Sequence, residues 1–226
     1  MDDKKGKALR TIAIIFMGLT AAMNVLGGAG TVCAAFLTRD FPPMWVFMDY
    51  QLLYQALMII TIAIGIVNIW STVKLVRGGE NVYRNALIIL VVGSIVSGVQ
   101  MFSSLAIRGK AVPANMKFYA NLATLLVFLV LKLPGLRDQV DFSKGGGADR
   151  TTAGGTSAIV AGIVMLTTEY WVGSSHVFQG TNWVHVLQMP LLIGGTVLML
   201  GGLALLAWVA KDALSGAWQR REASIN

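Results

Sequence analysis

Charged side chains are scarce in this chain of 226 residues, where they make up 13% of the total. A water-soluble domain carries roughly 25% charged residues, which it needs to cover its surface. Hydrophobic residues account for 55% of the chain, and the mean hydropathy is +0.67. Because helices embedded in a bilayer need no polar cover, the composition predicts an integral membrane protein.

Cysteine and histidine are almost absent. The single cysteine, Cys33, cannot form an intrachain disulfide, and no Cys/His spacing typical of a metal site occurs. The two histidines, His176 and His185, are too close in sequence to bind one haem from facing helices. Phosphate-binding loops and the common hydrolase motifs are also missing. We therefore expect no metal site and no catalysis by the chain alone.

Basic residues exceed acidic ones, which gives a net charge of +7. Such an excess is typical either of nucleic-acid binding or of membrane topology. The basic residues lie in short segments beside apolar runs and form no patch interleaved with aromatic residues. We therefore expect contact with membrane lipid and no contact with nucleic acid.

Six apolar runs are long enough to cross a bilayer as helices, which takes about 20 residues at ~1.5 Å each. The first run follows several lysines, as in a signal peptide, but we interpret it as a span. The fold class predicted is all-α: a polytopic membrane protein with six transmembrane helices. The runs cover about Leu9–Leu26, Tyr50–Val73, Val82–Ile107, Asn115–Leu133, Gly154–Val172 and Val186–Ala210.

The distribution of lysine and arginine predicts the orientation. With a cytoplasmic N-terminus, the inner segments hold 14 of the 18 basic residues. The outer segments hold the other four, which are Arg39, Arg108, Lys110 and Lys117. This asymmetry follows the positive-inside rule, so both termini are predicted to be cytoplasmic. A bacterial plasma (inner) membrane is the simplest location for such a multi-pass protein.

Glycine-rich stretches divide the chain. Residues 134–153 are polar, include Gly145-Gly146-Gly147, and predict a cytoplasmic linker. Residues 1–133 would then form a four-helix transmembrane part, and residues 154–226 a two-helix part with a short cytoplasmic tail. The run Gly27-Gly28-Ala29-Gly30 permits either a bend or one long tilted helix.

Small residues recur at helical spacing on the last two spans and predict close helix contacts. They are Gly154, Ala158 and Gly162 on the fifth span, and the pairs Gly194/Gly201 and Gly195/Gly202 on the sixth.

Polar side chains inside the apolar runs lie mostly in the predicted outer halves. Such groups normally face a bundle interior or a cavity, because exposing them to lipid tails is costly. The inner halves hold little beyond Asn68. The pattern predicts a cavity or a partner surface in the outer half, although plain interhelical hydrogen bonds explain most single amide side chains. The outer-half residues are Asn24, Asp49, Gln51, Gln55, Gln100, Ser103, Ser104, Tyr119, Asn121, Glu169, Tyr170, His185 and Gln188.

Two of these residues have the chemistry that a lipid-soluble cofactor needs. An interfacial imidazole can bind haem iron or a quinone oxygen, and a carboxylate near the boundary can accept a proton. The alternatives are a helix-capping role for His185 and a solvated carboxylate for Glu169. The candidates for a quinone or haem b site are His185, Glu169, Tyr170, Gln188, Gln55 and Gln100. The candidates for binding a partner are Trp171, His176 and Trp183.

Three functions fit these observations. The first is an integral membrane subunit of a larger complex, with electron transfer as one option. The segments outside the membrane are too short to hold a domain, so any chemistry would belong to other protein subunits docked on the outer face. The second is a redox subunit that binds quinone or haem there. The third is a small transporter or channel, against which the apolar inner halves argue.

Overall fold

A computed structural model describes residues 3–40, 42–143, 147–178, 180–186 and 188–223. These residues are almost entirely helical, with 3-10 segments at Pro42–Tyr50 and Gly173–His176 and one antiparallel pair of very short strands, β1 (Val177–Phe178) and β2 (Thr181–Asn182). The helices are α1 (Asp3–Gly30), α2 (Val32–Phe36), α3 (Gln51–Arg77), α4 (Val82–Arg108), α5 (Ala114–Val130), α6 (Gly147–Leu166), α7 (Thr168–Val172), α8 (Trp183–Val186) and α9 (Gln188–Ala223).

Four helical stretches within the described residues are long and apolar enough to cross a membrane. They are Lys5–Phe36, Met44–Arg77, Val82–Arg108 and Gln188–Asp212. Two shorter apolar helices, Ala114–Val130 and Thr151–Leu166, accompany them. An all-helical, membrane-embedded protein is therefore confirmed, while the six spans and the side on which the termini lie stay predictions.

Glycine residues end α3 and α4. The amide of Gly78, whose φ is +77°, donates to the Lys74 carbonyl, and Gly109, with φ +67°, does the same for the Leu105 carbonyl. A side chain is disfavoured at such φ values, so these glycines stop α3 and α4 after Arg77 and Arg108, a few residues or less beyond the predicted ends at about Val73 and Ile107.

The last two long helices differ from their predicted bounds. α6 begins at Gly147, inside the predicted linker, rather than at Gly154, and α9 continues to Ala223. Hydropathy marks only the part of a helix that lipid can cover, whereas backbone hydrogen bonds continue through polar residues. The glycine-rich run in α1 does not bend the chain sharply, since α2 follows after a single residue, Thr31.

α1 is the central helix. It packs against α3, α5 and α6, and α4 closes the group by packing against α3 and α5. We call α1, α3, α4 and α5 the four-helix bundle. α6 packs mainly against α9, and we call these two helices the α6–α9 hairpin. The bundle has a 78–81 end, where α3 turns into α4, and a 109–113 end, where α4 turns into α5.

Glycines set the register of two antiparallel contacts. A Cβ on Gly28 would meet Ile62, and one on Gly65 would meet Val25, which fixes α1 against α3. In the α6–α9 hairpin, Cβ atoms on Gly155 and Gly162 would lie 2.9 and 2.7 Å from the carbonyl oxygens of Gly202 and Gly195. Those backbones can approach so closely only because side chains are absent.

Small residues therefore do form the contact between α6 and α9, as predicted, but some of the predicted positions are wrong. Gly162, Gly195 and Gly202 lie in the α6–α9 contact. Gly154 and Gly201 face open space, and Gly155 takes the place predicted for Gly154.

Candidate functional site

One face of α5 carries polar residues into the interior of the four-helix bundle. Lys117, Asn121 and Thr124 follow one another at helical spacing, and each is at most 2% exposed. The sequence-based count placed Lys117 among the external loop cations, and that placement is wrong. Its side chain lies between helices because the first turn of α5 already packs inside the bundle.

The Lys117 amine contacts only uncharged groups. Its Nζ donates to Gln100 Oε1 and to Thr61 Oγ1, the latter at 3.1 Å. No carboxylate pairs with it in the part of the chain that the structure describes. Its methylene stem passes Gly27, where a Cβ would lie 2.9 Å from the lysine Cδ. A buried cation without a charged partner is costly, so this lysine calls for an explanation beyond packing.

Hydrogen bonds continue from Lys117 toward the 109–113 end. Gln100 Nε2 donates to Thr31 Oγ1 at 2.8 Å, and that hydroxyl donates to the Gly27 carbonyl at 2.7 Å. Tyr54 and Ser104, both buried, share a hydrogen bond of 2.9 Å between their hydroxyls. Tyr54 belongs to α3, Gln100 and Ser104 belong to α4, and Thr31 is the residue that follows α1.

A second group of hydrogen bonds crosses the middle of the bundle. The side-chain amides of Asn24 and Asn121 donate to each other's oxygens at 3.2 and 3.0 Å. Gly93 leaves room for this pair, because a Cβ there would overlap Asn121 Oδ1. One turn further along, the Thr20 and Thr124 hydroxyls are 2.7 Å apart.

Two buried polar residues toward the 78–81 end are unsatisfied. Asn68 is 0% exposed, and neither its Nδ2 nor its Oδ1 has a partner within the described residues. Ser71, one turn further along α3, is 3% exposed, and its Oγ is likewise without a partner there. Ser71 lines a cavity of about 180 Å³ together with Lys74, Glu80 and Asn85.

These groups form a line of buried polar side chains along the bundle, with apolar residues such as Leu57 and Ile64 between them on α3. Tyr54, Thr61 and Asn68 recur every seven residues on α3, and Ser71 extends the line. From Tyr54 to Ser71 the helix rises about 25 Å, close to the ~30 Å of a bilayer core. The glycine-set register of α1 against α3 places Asn24 level with residue 66 of α3, and Thr20 level with residue 70. Buried polar side chains therefore extend beyond the predicted outer half, in which the sequence places most of them.

The structure distributes the predicted cofactor residues over two places. Gln100 belongs to the network around Lys117, and Gln55 Nε2 donates to the Ala35 carbonyl at 3.1 Å. The others lie near the ends of α6 and α9. There His185 Nδ1 is 3.1 Å from Glu169 Oε1, and their side chains are 63% and 36% exposed.

The remaining candidates form no enclosed site among the described residues. Asn182 Nδ2 reaches Glu169 Oε1 at 3.5 Å, while Tyr170 is 87% exposed. Gln188 and Trp171 are half-buried. The side chains of His176 and Trp183 lie outside the described part of the chain. The assignment of these residues to a quinone, a haem b or a partner stays a prediction.

The sequence does contain a signal for the network that we missed. Buried polar and small residues follow a 3–4 spacing on each bundle helix, a periodicity that marks one face. On α1 and the residue after it they are Thr20, Asn24, Gly28 and Thr31; on α4 they are Gly93, Ser97, Gln100 and Ser104; and on α5 they are Lys117, Asn121 and Thr124.

Comparisons with protein-family models, with curated proteins and with solved structures found no match. The chemistry of the described residues alone therefore carries the functional proposal.

Proposed function

We propose that this chain is a six-span protein of the plasma membrane, with both termini in the cytoplasm, that conducts protons through its four-helix bundle. Lys117 is the group that takes up and releases the proton. The observation that carries the proposal is the line of buried polar side chains from Tyr54 to Ser71, with an unpaired lysine within it. An ionisable residue inside a membrane bundle is a functional candidate by default, because its burial is costly.

The tight packing around Lys117 selects the proton among ions. Gly27 touches the lysine stem and Gly93 touches Asn121, so there is little room for a hydrated ion beside either side chain. A proton needs no such space, because it passes along hydrogen-bonded side chains and waters. The positive charge of a protonated lysine also repels metal cations in the same path, as cationic barriers do in selective pores.

The hydrogen bonds of Lys117 suit a change of protonation. A neutral amine has two N–H groups to donate, and an ammonium has three. Two acceptors, Gln100 Oε1 and Thr61 Oγ1, bond to Nζ. The third N–H of the ammonium thus has no acceptor among the described side chains, and it can pass its proton to a water.

The test is proton flux into liposomes, driven by a potassium gradient with valinomycin and followed with an enclosed pH-sensitive dye. Lys117→Met keeps the length of the side chain and removes the amine. We expect it to lower the flux at least about tenfold, which corresponds to ~1.4 kcal/mol in the barrier. Lys110→Met, at an exposed lysine after α4, is the matched control and should leave the flux unchanged.

Unchanged flux in a folded Lys117→Met protein would refute proton conduction through this residue. Folding is checked by elution volume and helical circular dichroism.

A second function, the membrane subunit of a larger complex, is supported by the position of α9. Only 11% of the residues in the apolar stretch of α9 are buried. Most of this helix is therefore available for contact with lipid or with another subunit. Trp171 and the Glu169–His185 pair lie at the adjacent end of the hairpin. In the redox version of this proposal, a quinone or haem b binds at His185.

Isolation from native membranes in mild detergent tests this second proposal. Mass spectrometry should identify a stoichiometric partner that Trp171→Ala displaces and that Trp70→Ala, at an exposed indole on α3, does not. An absorbance scan reports haem, and extraction reports quinone. A chain that isolates alone and stable, without either cofactor, would contradict it.

A further inference from the structure

A cavity at the 78–81 end adjoins the interior polar line at Ser71. About 180 Å³ in volume, it is lined by Ser71, Lys74, Glu80 and Asn85 beside the turn between α3 and α4. Gly79 and Val82 line both this cavity and a neighbouring one of about 420 Å³. Since a water molecule occupies about 30 Å³ in the liquid, the smaller cavity has room for several.

Ser71 connects this cavity to the bundle interior. It lines the cavity, yet it is 97% buried and its hydroxyl has no partner within the described residues. Asn68 lies one helical turn deeper, fully buried, with both its donor and its acceptor unused. A buried amide left without hydrogen bonds is costly, so a partner is expected there.

Water is the partner that fits. A buried water needs a roomy polar site with two to four hydrogen-bonding groups, and it then satisfies groups that protein atoms leave open. Ser71, whose Oγ has no partner within the described residues, lines a cavity that water can enter, and the two ends of the Asn68 amide, one helical turn deeper and not themselves in the cavity wall, offer two further groups. Two charged side chains lie near the opening. They are Lys74, whose Nζ is 5.4 Å from the Trp70 ring centroid, and Glu80, which is exposed.

We infer that water enters this cavity, binds between Ser71 and Asn68, and forms the port by which protons reach the bundle from the 78–81 end. The role as a port depends on the proposed proton conduction, whereas the water site does not. Along such a file each water accepts one proton from the cavity side and releases another to the next water, so no water gains net charge and no redox partner is needed. The Asn68 amide holds the innermost water by hydrogen bonds and does not itself carry the proton. Glu80, at the mouth, supplies or accepts the proton exchanged with solvent.

The water site is tested directly by water-edited solid-state NMR of the full chain in liposomes. Magnetisation should pass from water to the Asn68 side-chain amide about as fast as to that of Asn85, which is exposed. Asn24, whose amide is paired with Asn121, should receive it much more slowly. A dry Asn68, with transfer no faster than to Asn24, would overturn the inference.

The port is tested by filling the opening. Ser71→Leu places a larger apolar side chain at the cavity wall and should lower the liposome proton flux about tenfold. Ser103→Leu, toward the 109–113 end of α4, is the control and should not. Glu80→Gln removes the titratable group at the mouth and should lower the flux about threefold.

The outcomes separate the port from the proton conduction it depends on. Loss of flux in Lys117→Met with normal flux in a folded Ser71→Leu protein would overturn the port and leave proton conduction standing. A wet Asn68 with normal flux in Lys117→Met would keep the water site and overturn both the port and the conduction.

Discussion

The four-helix bundle and the α6–α9 hairpin solve the same packing problem by different chemistry. The bundle buries hydroxyls, amides and a lysine between its helices, and these side chains bond across the interior. The hairpin brings two glycine-lined backbones together, with Gly155 against Gly202 and Gly162 against Gly195. Apolar side chains alone give no preference for protein over lipid tails, so membrane helices rely on close packing or on polar contacts.

The two regions differ in how well stability alone accounts for their contacts. Loss of a glycine contact in the hairpin costs little beyond the contact itself, because a missing van der Waals contact leaves no polar group unsatisfied. Polar contacts leave a costly group behind whenever one partner moves. Measured interhelical hydrogen bonds in a membrane protein average only ~0.6 kcal/mol, so stability alone is a weak reason to bury an unpaired lysine. The polar interior is therefore better explained by function.

The largest effect is expected in the hairpin. Gly162→Leu would drive a side chain into the Gly195 carbonyl oxygen and the Met199 amide, which a Cβ alone would approach to 2.7 and 2.9 Å. Overpacking of this kind costs about 1–3 kcal/mol, and with backbone on both sides we expect the upper value. Reversible unfolding in mixed detergent micelles measures it.

The neighbouring glycines provide the control for the hairpin variant. Gly154→Leu replaces a glycine that meets nothing within 4 Å, and it should change the free energy of unfolding by less than about 0.5 kcal/mol. Equal losses in both variants would mean that backbone contact does not hold the hairpin. The proton flux should be normal in both.

A smaller loss is expected when one side of the asparagine pair is removed. Asn24→Leu leaves Asn121 Oδ1 without its donor, while Asn121 Nδ2 keeps its bond to the Lys117 carbonyl, and a buried unsatisfied group costs about 1–3 kcal/mol. A double-mutant cycle with Asn121→Leu isolates the pair, whose coupling should fall between ~0.6 and ~1.7 kcal/mol. Strict additivity of the two single effects would contradict a direct contact.

The hydroxyl pair in the middle of the bundle should contribute less. Thr20→Val keeps the shape of the side chain and removes the hydrogen bond to Thr124, at an expected cost of about 0.6 kcal/mol in unfolding free energy. Thr167→Val serves as the reference, because the hydroxyl of Thr167, the residue after α6, bonds within the described residues to carbonyls of that helix, at Ile163 and Val164. A larger loss at Thr167 than at Thr20 would argue against the interhelical bond.

The smallest effect on stability should come from Asn68, with the opposite sign. Asn68→Leu removes an amide that has no partner among the described side chains, so the free energy of unfolding should stay the same or rise by up to about 1 kcal/mol. The same variant should lower the proton flux, since it interrupts the polar line. A marked loss of stability would show that Asn68 is bonded to a group of the protein rather than to water alone.

The bundle and the hairpin also differ in how well the sequence predicts them. Hydropathy and glycine placed α3 and α4 within a few residues of Gln51–Arg77 and Val82–Arg108. The start of α6 at Gly147 was missed, because polar residues can extend a helix beyond the membrane. The hairpin register became visible only in three dimensions, although its glycines stand seven residues apart in the sequence.

The site was harder to predict because depth along a span is a poor guide to burial. Lys117 resembles a loop cation when its charge is counted, and only its spacing to Asn121 and Thr124 indicates an inward face. The pairing of Asn24 with Asn121 joins residues 97 positions apart, which a single sequence cannot reveal. By contrast, His185 and Glu169 do lie together, 3.1 Å apart, as a polar pair close to the membrane boundary would.

The central position of α1 has a consequence for biosynthesis. Thr20 meets Thr124, and that partner is translated 104 residues later. At the ribosome's ~5–20 residues per second, α1 waits about 5 to 20 s with its polar face unmatched. Lipid cannot shelter that face, so the insertion machinery has to retain the nascent helix until α5 emerges.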